Sequence, residues 1–258
     1  MMSIDKTSMI HPKAEIAEDA EIGPFCTIGE HVKIGRGVRI KSHVSIQGWT
    51  EIGDECVFFP FSSIGEPPQD LKFKGEASRL IIGRENVFRE FITLNRGTEH
   101  GGGETVIGDH NFFMAYCHVA HDCRIGNHVV MANAATLAGH ITIEDHAIIG
   151  GLSAIHQFVR VGRHAIIGGA SAVPKDVPPF CNVTGNRAEL HGLNTVGLKR
   201  NNFSEETVRE LKNAYRILFR SDLLLQDAIA RVSEEAADIP EVRELLDFLR
   251  ESKRGICR

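Results

Sequence analysis

The sequence predicts a mainly β fold: a left-handed parallel β-helix of six-residue repeats, 18 residues to the coil, followed by a C-terminal α-helical domain. Three observations predict it. An aliphatic or aromatic residue returns at every sixth position through most of the 258 residues. The chain holds 25 Gly, and these fall repeatedly one place after the periodic residue. Beyond residue 200 the apolar spacing changes to the threes and fours of an amphipathic helix.

The repeat opens at Ile10 and continues through Ile16, Ile22, Ile28, Ile34, Ile40, Ile46, Ile52, Phe58 and Ile64. It breaks over 65–81, resumes as Ile82, Phe88 and Leu94, and breaks again over 99–105, around His100-Gly101-Gly102-Gly103. It then runs as Ile107, Phe113, Val119, Ile125, Met131, Leu137, Ile143, Ile149, Ile155, Val161, Ile167 and Val173, 25 hexads in all. A helix repeats every 3.6 residues and an amphipathic strand every 2, so neither produces this cycle. Three hexads close a triangular coil, with the periodic residue inside and glycine easing the corners. Coils bonded to one another at about 4.8 Å stack into a prism roughly 40 Å long. The two breaks are read as projecting loops.

The fifth hexad position is small, as at Ala14, Ala20, Cys26, Val32, Cys56 and Ser62. Four of the six cysteines (26, 56, 117 and 123) fall there, which makes them core residues. No CxxC pair exists, against a zinc ribbon or a redox motif. The repeat is expected to end near Pro174, Pro178 and Pro179, and 182–197 reads as a linker. Ser204 caps a helix carrying Val208, Leu211, Tyr215, Leu218 and Phe219 on one face. Asp222 opens a second, with Leu225, Ile229 and Val232, and Pro240 a third, with Val242, Leu245, Phe248 and Leu249. These helices are expected to cover the open edge of the last coil. The resulting division is 1–190 for the β-helix and 191–258 for the helical domain.

Composition narrows the function. At 42% hydrophobic and 24% charged the chain is a soluble globular protein. No run approaches the roughly 18 apolar residues of a membrane span, and the first residues form no signal peptide, which points to the cytoplasm. A net charge of −5 offers no general attraction to nucleic acid.

In an 18-residue coil, residues i and i+18 stack in columns. His110, His128, His146 and His164 form one such column. Imidazoles about 4.8 Å apart cannot share one ion in ordinary geometry, so this ladder reads as a solvated corner. A second set is different. The column His121, Gly139, Gln157, Lys175 runs beside Asp122, His140, Phe158, Asp176, with His118 and His156 close by. A dense His/Asp/Gln cluster above a bare glycine has the make-up of a catalytic site. A third column, Ala115, Asn133, Gly151 and Gly169, leaves a shallow channel read as lying beside that cluster, about 14 Å long and able to take an extended apolar chain.

Particular strings then narrow the reading: Ile64-Gly65-Glu66, Gln69-Asp70-Leu71-Lys72, His118-Val119-Ala120-His121-Asp122-Cys123, Leu137-Ala138-Gly139-His140, Ala154-Ile155-His156-Gln157-Phe158 and Gly197-Leu198-Lys199-Arg200. In order and spacing, over essentially the whole chain, the sequence resembles the bacterial UDP-N-acetylglucosamine O-acyltransferases of lipid A biosynthesis. The resemblance implies transfer of a 3-hydroxyacyl group from acyl carrier protein to the 3-position of the UDP-sugar. It implies a homotrimer with active sites between subunits. His121, with Asp122, would be the general base, and the Gly139 N–H would hold the oxyanion. Asp70 and Lys72 would reach into the neighbour's site, and His118, His140, His156, Gln157, Asn194 and Arg200 would contact substrate. Gly169 would set acyl-chain length. No metal and no resident cofactor are implied, since phosphopantetheine arrives on the carrier protein. Asn95 stands where the family commonly has His, and Asn201 where many members have a second Arg. Whether the acceptor carries a 3-hydroxyl or a 3-amino group therefore stays open. Other readings are a hexapeptide acyltransferase using acetyl-CoA, a zinc carbonic anhydrase (whose five-apart His pair is missing) and a purely structural β-helix.

Overall fold

The computed structural model describes residues 3–236 and 239–258. Parallel strands, most of two residues, stack into three sheets that form the three faces of a prism. Face one carries Ile4, Ile22, Ile40, Phe58, Phe88, Phe113, Met131, Ile149 and Ile167, face two the series from Ile10, and face three that from Ile16. The repeat thus starts one hexad before Ile10, since Ser3-Ile4 already pairs with Glu21-Ile22. Pairing is in register at 18 residues, as in Ile125↔Ile143. Every periodic side chain from Ile22 to Val173 is buried. Inside face one, Phe58, Phe88 and Phe113 stack with ring centroids 4.8 and 4.9 Å apart, the coil repeat itself.

The corners are made differently from the sequence expectation. Every described non-glycine residue with positive φ, Asn202 excepted, is the fourth residue of a hexad. His, Phe, Glu, Asp, Tyr, Leu and Ala all occupy this left-handed slot, and Gly37 is its one glycine. The glycines one place after the periodic residue have another job. A Cβ at Gly150 would stand 2.5 Å from the Gly169 nitrogen and 2.6 Å from the Gly168 carbonyl carbon. These glycines let successive coils touch at the corner.

The two loops are insertions. Phe58 pairs with Phe88 and Ile82 with Ile107, spacings of 30 and 25 instead of 18. Each leaves after a face-two strand, Ser63–Glu66 and then Thr93–Asn95, and each returns to face three. Both therefore project from the same corner, in consecutive coils. Arg96 ties the first loop down, with its guanidinium between the rings of Trp49 and Phe73.

The coil does not end at the prolines. Val177 bridges to Val161, and Cys181–Thr184 continues face one before Glu189–Leu193 turns back antiparallel against it. That antiparallel strand covers the edge of face one, and Ile256 bridges to Asp176 on the neighbouring coil. Edge covering thus falls to backbone strands, and the helices pack behind them. The span read as a linker also holds a short helix, α1 (Thr195–Arg200). Helix α2 (Glu205–Arg220) is capped by Ser204, whose side chain accepts the Thr207 N–H. Helix α3 (Leu225–Ala236) begins at Leu225 instead of Asp222, and α4 (Pro240–Glu251) begins at Pro240. Val208, Leu211, Leu218, Ile229, Val232, Val242, Leu245, Phe248 and Leu249 pack with Phe180 and Leu198 in a second core.

Close coil contact sets a testable limit. Gly150→Ala should lose about 1–3 kcal/mol of unfolding free energy, because no rotamer change can move backbone atoms away. Gly192, with nothing within 4 Å of an added Cβ, is the control. Gly192→Ala should stay within about 0.5 kcal/mol in urea titrations. Equal stability of the two variants contradicts this account of the glycines.

Candidate active site

The corner that carries both insertions also carries the histidine cluster. His121 and Asp122 are the third and fourth residues of the face-two hexad of Val119, one coil beyond the second loop. Asp122 occupies the left-handed slot at φ 59°. Its N–H donates to Thr105 Oγ1 at 2.8 Å, which fixes the backbone there. Its side chain is almost wholly buried, with Oδ2 2.7 Å from His121 Nδ1. Burial alone would raise this carboxyl, but hydrogen bonds from His121 and Thr98 outweigh it and hold Asp122 below the ordinary carboxylate value.

The imidazole of His121 lies over Gly139. A Cβ there would come 2.6 Å from Cε1 and 2.8 Å from Nε2 of the ring. No acceptor among the described residues takes the Gly139 N–H. At the equivalent position on face three, the N–H groups of Arg36, Arg84, Asp109 and Asn127 are all taken by side chains of the next coil. Among the described residues the same N–H is also without an acceptor at His121 and Gln157 on this face and at Ala115, Asn133, Gly151 and Gly169 on face one, so what marks Gly139 is the His121 ring above it.

His140, one coil on, stacks on Phe158 at 4.5 Å and meets the His121 ring edge-on at 5.1 Å. Its Nδ1 is 3.7 Å from Asp122 Oδ2. His118 projects from face two with Nδ1 2.7 Å from Thr93 Oγ1. Burial lowers both His118 and His140 below the ordinary histidine value, and the neighbouring His121 adds to it. One ligand atom each of His121, Asp122 and His140 lie within 4.8 Å of one another, so this set could hold a metal ion. Its atoms are already engaged, however: Asp122 Oδ2 accepts from both His121 and the Thr98 hydroxyl.

Within this chain the first loop touches the second. Asp70 Oδ2 lies 3.2 Å from His100 Nε2, and the His100 ring is 6.2 Å from that of His140. The Lys72 N–H donates to Asp70 Oδ1, which with the nearby His121 and His100 holds Asp70 below its usual range. Lys72, Lys74, Glu76, Glu99 and His100 line one open cleft. The sequence reading did not place Thr98, His100, Gly101 or Thr105 in the site. Their signal was there: both frame breaks follow a face-two hexad, so both must emerge at the His121 corner.

Residues 104–139 match bacterial transferase hexapeptide repeats, and residues 176–257 match the second domain of UDP-N-acetylglucosamine O-acyltransferase. An acyl-[acyl-carrier-protein]–UDP-N-acetylglucosamine O-acyltransferase of Thermodesulfovibrio yellowstonii is 58% identical over 258 residues, all of both chains. This chain belongs to that acyltransferase family. Its counterpart from Halorhodospira halophila is 47% identical, again over the whole of both chains. The structure of LpxA from Acinetobacter baumannii matches with a TM-score of 0.96 at 44% identity, over 99% of each chain. That of Arabidopsis UDP-N-acetylglucosamine acyltransferase matches at 0.88 and 37%, over 99% of this chain and all of the other.

Within this acyltransferase fold the other singled-out residues sit apart from His121. His156 and Gln157 are exposed one coil beyond His140, and Arg200 is exposed at the end of α1. Asn194 is buried and caps α1, its oxygen accepting the Gly197 N–H and its NH2 donating to the His164 carbonyl. The column Ala115, Asn133, Gly151, Gly169 ends face one, so it borders the corner between faces one and two. The whole width of face two separates it from His121, and the two are not side by side within one chain.

The histidine ladder stacks as expected, with centroids 4.9, 4.7 and 4.6 Å apart, but it is not solvated throughout. His164 is 3% exposed, beneath Phe180 and Phe203. Burial, with His146 and Arg163 alongside, pushes it down to about 4. The unfolded chain binds this proton near pH 6.5, so folded-state stability falls as the pH drops from about 6.5 to about 4. His164→Phe, a residue the left-handed slot accepts elsewhere, removes that proton. Between pH 7 and pH 4.5 the wild type should lose roughly 2–3 kcal/mol more than the variant in urea unfolding. Parallel pH profiles contradict it.

Proposed function

We propose that this chain transfers a 3-hydroxyacyl group from acyl carrier protein to the 3-position of UDP-N-acetylglucosamine, the opening step of lipid A synthesis, with His121 as general base. The observation that carries the assignment of the base is the 2.7 Å contact between His121 Nδ1 and the buried Asp122 carboxylate. With Nδ1 donating, Nε2 is the free acceptor. It takes the proton of the sugar hydroxyl as that oxygen attacks the thioester carbonyl. The open N–H of Gly139, beneath the same ring, receives the developing oxyanion. Collapse expels the pantetheine sulfur, which recovers the proton from His121. His140 and His118, held neutral by burial, line the site without placing a second charge beside the base. Asp70 and Lys72 supply polar contacts from the first loop, with the Lys72 ammonium suited to phosphate. His156, Gln157 and Arg200 extend toward the UDP moiety, and Asn194 sets the position of the helix that carries Arg200. Phosphopantetheine enters as part of the donor, so the chain needs no resident cofactor or metal. All six cysteines are buried and unpaired, which fits a reducing cytoplasm.

We assign a homotrimer on the geometry of two corners. The channel of small residues and the base lie at opposite edges of face two, and side-by-side packing of copies is what can bring them together. An exposed stacked column at the channel's corner supports this: Phe25, His43, Phe61, Phe91 and Tyr116, 4.9 to 5.1 Å apart. Phe25, Phe61 and Tyr116 are each more than half exposed, an apolar stripe that a neighbour would cover.

The test incubates the protein with UDP-N-acetylglucosamine and a series of hydroxyacyl carrier proteins, with product read by mass spectrometry. A new ester on the sugar is expected. His121→Ala should lose at least about 10²-fold in kcat, while His128→Ala from the ladder stays near wild type. Full activity of His121→Ala removes His121 from the role.

A Cβ at Gly169 meets only the Gly151 carbonyl oxygen, at 3.3 Å, a tight contact that a shift of a few tenths of an ångström relieves. Gly169→Met should sediment as a trimer and shift donor preference toward shorter chains. Each excluded methylene is worth about 0.8 kcal/mol of burial, so loss of two or three changes discrimination by about ten- to fifty-fold. A trimeric Gly169→Met with the original preference places the acyl chain elsewhere.

A further inference from the structure

The second insertion, with its His-Gly-Gly-Gly string, is explained by what it does to Asp122. Thr98 fills the fifth position of the Leu94 hexad, where the repeat elsewhere places a small core residue, and it is fully buried. Its N–H donates to Asp122 Oδ1 at 2.8 Å and its hydroxyl to Oδ2 at 2.6 Å. The hydroxyl proton has no other place to go, because the lone pairs face the Gly101 N–H, which donates to Thr98 Oγ1 at 3.1 Å. Gly101 itself lies against the carboxylate, and a Cβ there would overlap Asp122 Cγ and both carboxylate oxygens. The turn is held shut by the Gly103 N–H, which donates to the Thr98 carbonyl at 2.8 Å.

We infer that Thr98 is a positioning residue of the acyl transfer, acting through Asp122 on His121. The direction of each hydrogen bond is set in sequence: Gly101 N–H to Thr98 oxygen, Thr98 hydroxyl to Asp122 Oδ2, His121 Nδ1–H to the same oxygen. With Oδ1 and Oδ2 both facing donors, Asp122 stays an unprotonated acceptor. His121 must then carry its proton on Nδ1, which leaves the Nε2 lone pair toward substrate. Removal of the Thr98 hydroxyl frees Asp122 to rotate and lets the ring exchange tautomers. The seven-residue insertion is thus the anchor of the catalytic pair.

This inference rests on His121 as the base, so His121→Ala is assayed beside the Thr98 variants. Thr98→Val keeps the shape and the N–H and deletes only the hydroxyl. It should lower kcat by about 10–100-fold, the usual effect of a group that orients a catalytic side chain. KM for both substrates should stay within about threefold. Thr98→Ser should restore most of the loss. Nitrogen-15 spectra of histidine-labelled protein should show the single Nδ1–H form of His121 in the wild type and a tautomer mixture in Thr98→Val. If Thr98→Val does not assemble, Thr98→Ala, which only removes atoms, takes its place. A hydroxyl-free variant within twofold of wild type, while His121→Ala is inactive, overturns the inference and leaves the base intact. So does a Thr98→Ser as impaired as Thr98→Val with an unchanged tautomer, which marks a merely structural role. An active His121→Ala overturns the base and with it the inference.

Discussion

The structure depends on one backbone constraint: the fourth residue of most hexads turns the chain through a left-handed conformation. For L-residues that conformation costs on the order of 1 kcal/mol, and this chain adopts it at corner after corner with side chains present. What holds it is the coil above and the coil below. Each corner N–H has an acceptor one coil back, as in His128 to Asp109, His146 to Asn127 and His164 to Asp145. The strain is thus distributed along the prism and opposed by hydrogen bonds that exist only if the 18-residue register holds. One slipped residue would turn a whole face of isoleucines outward.

The same slot makes both the ladder and the Asp122 corner. His110, His128, His146 and His164 occupy it on one corner, and Asp122, His140 and Phe158 on another. Side chains there leave the prism in parallel and stack at the coil spacing. On the ladder corner this produces a column of imidazoles without chemistry of its own. On the second corner the insertions change the outcome. They place Thr98, His100 and Asp70 against the column, so that Asp122 gains donors and loses solvent. Position on the repeat supplies the geometry, and the breaks in the repeat supply the function.

Most of the fold was legible because the six-residue period is fixed by buried residues that tolerate little else. The breaks were legible too, as projecting loops, though the corner they leave, which their phase encodes, was not drawn from it. The left-handed slot was not legible, because its signal is ordinarily glycine, and here His and aromatics fill it. Lattice-like support from neighbouring coils replaces the local preference. The strand beyond Pro178 and Pro179 was hidden for a similar reason: proline marks an end, yet an edge coil needs fewer donors and accepts it. In the site, column arithmetic grouped His121, Asp122 and Gly139 with other polar residues, and the roles proposed for them came from the family resemblance. Thr98 could not be grouped with them, since a buried threonine at the fifth position looks like any small core residue.

The separation of charge states at the site follows from the same arrangement. Among the described residues Asp122 is the carboxylate buried against His121, and donors from an insertion and from His121 hold it below the ordinary value, against the desolvation that would raise it. His118 and His140 have too few compensating partners, and burial drives them toward the neutral form. A second cation next to His121 would oppose its taking up a proton, so neutral neighbours favour the base. A second anion would compete for the open N–H of Gly139 with the oxyanion proposed to bind there. Burial of one charge with three donors and two histidines with few therefore suits the role proposed for His121, the uptake of a single proton.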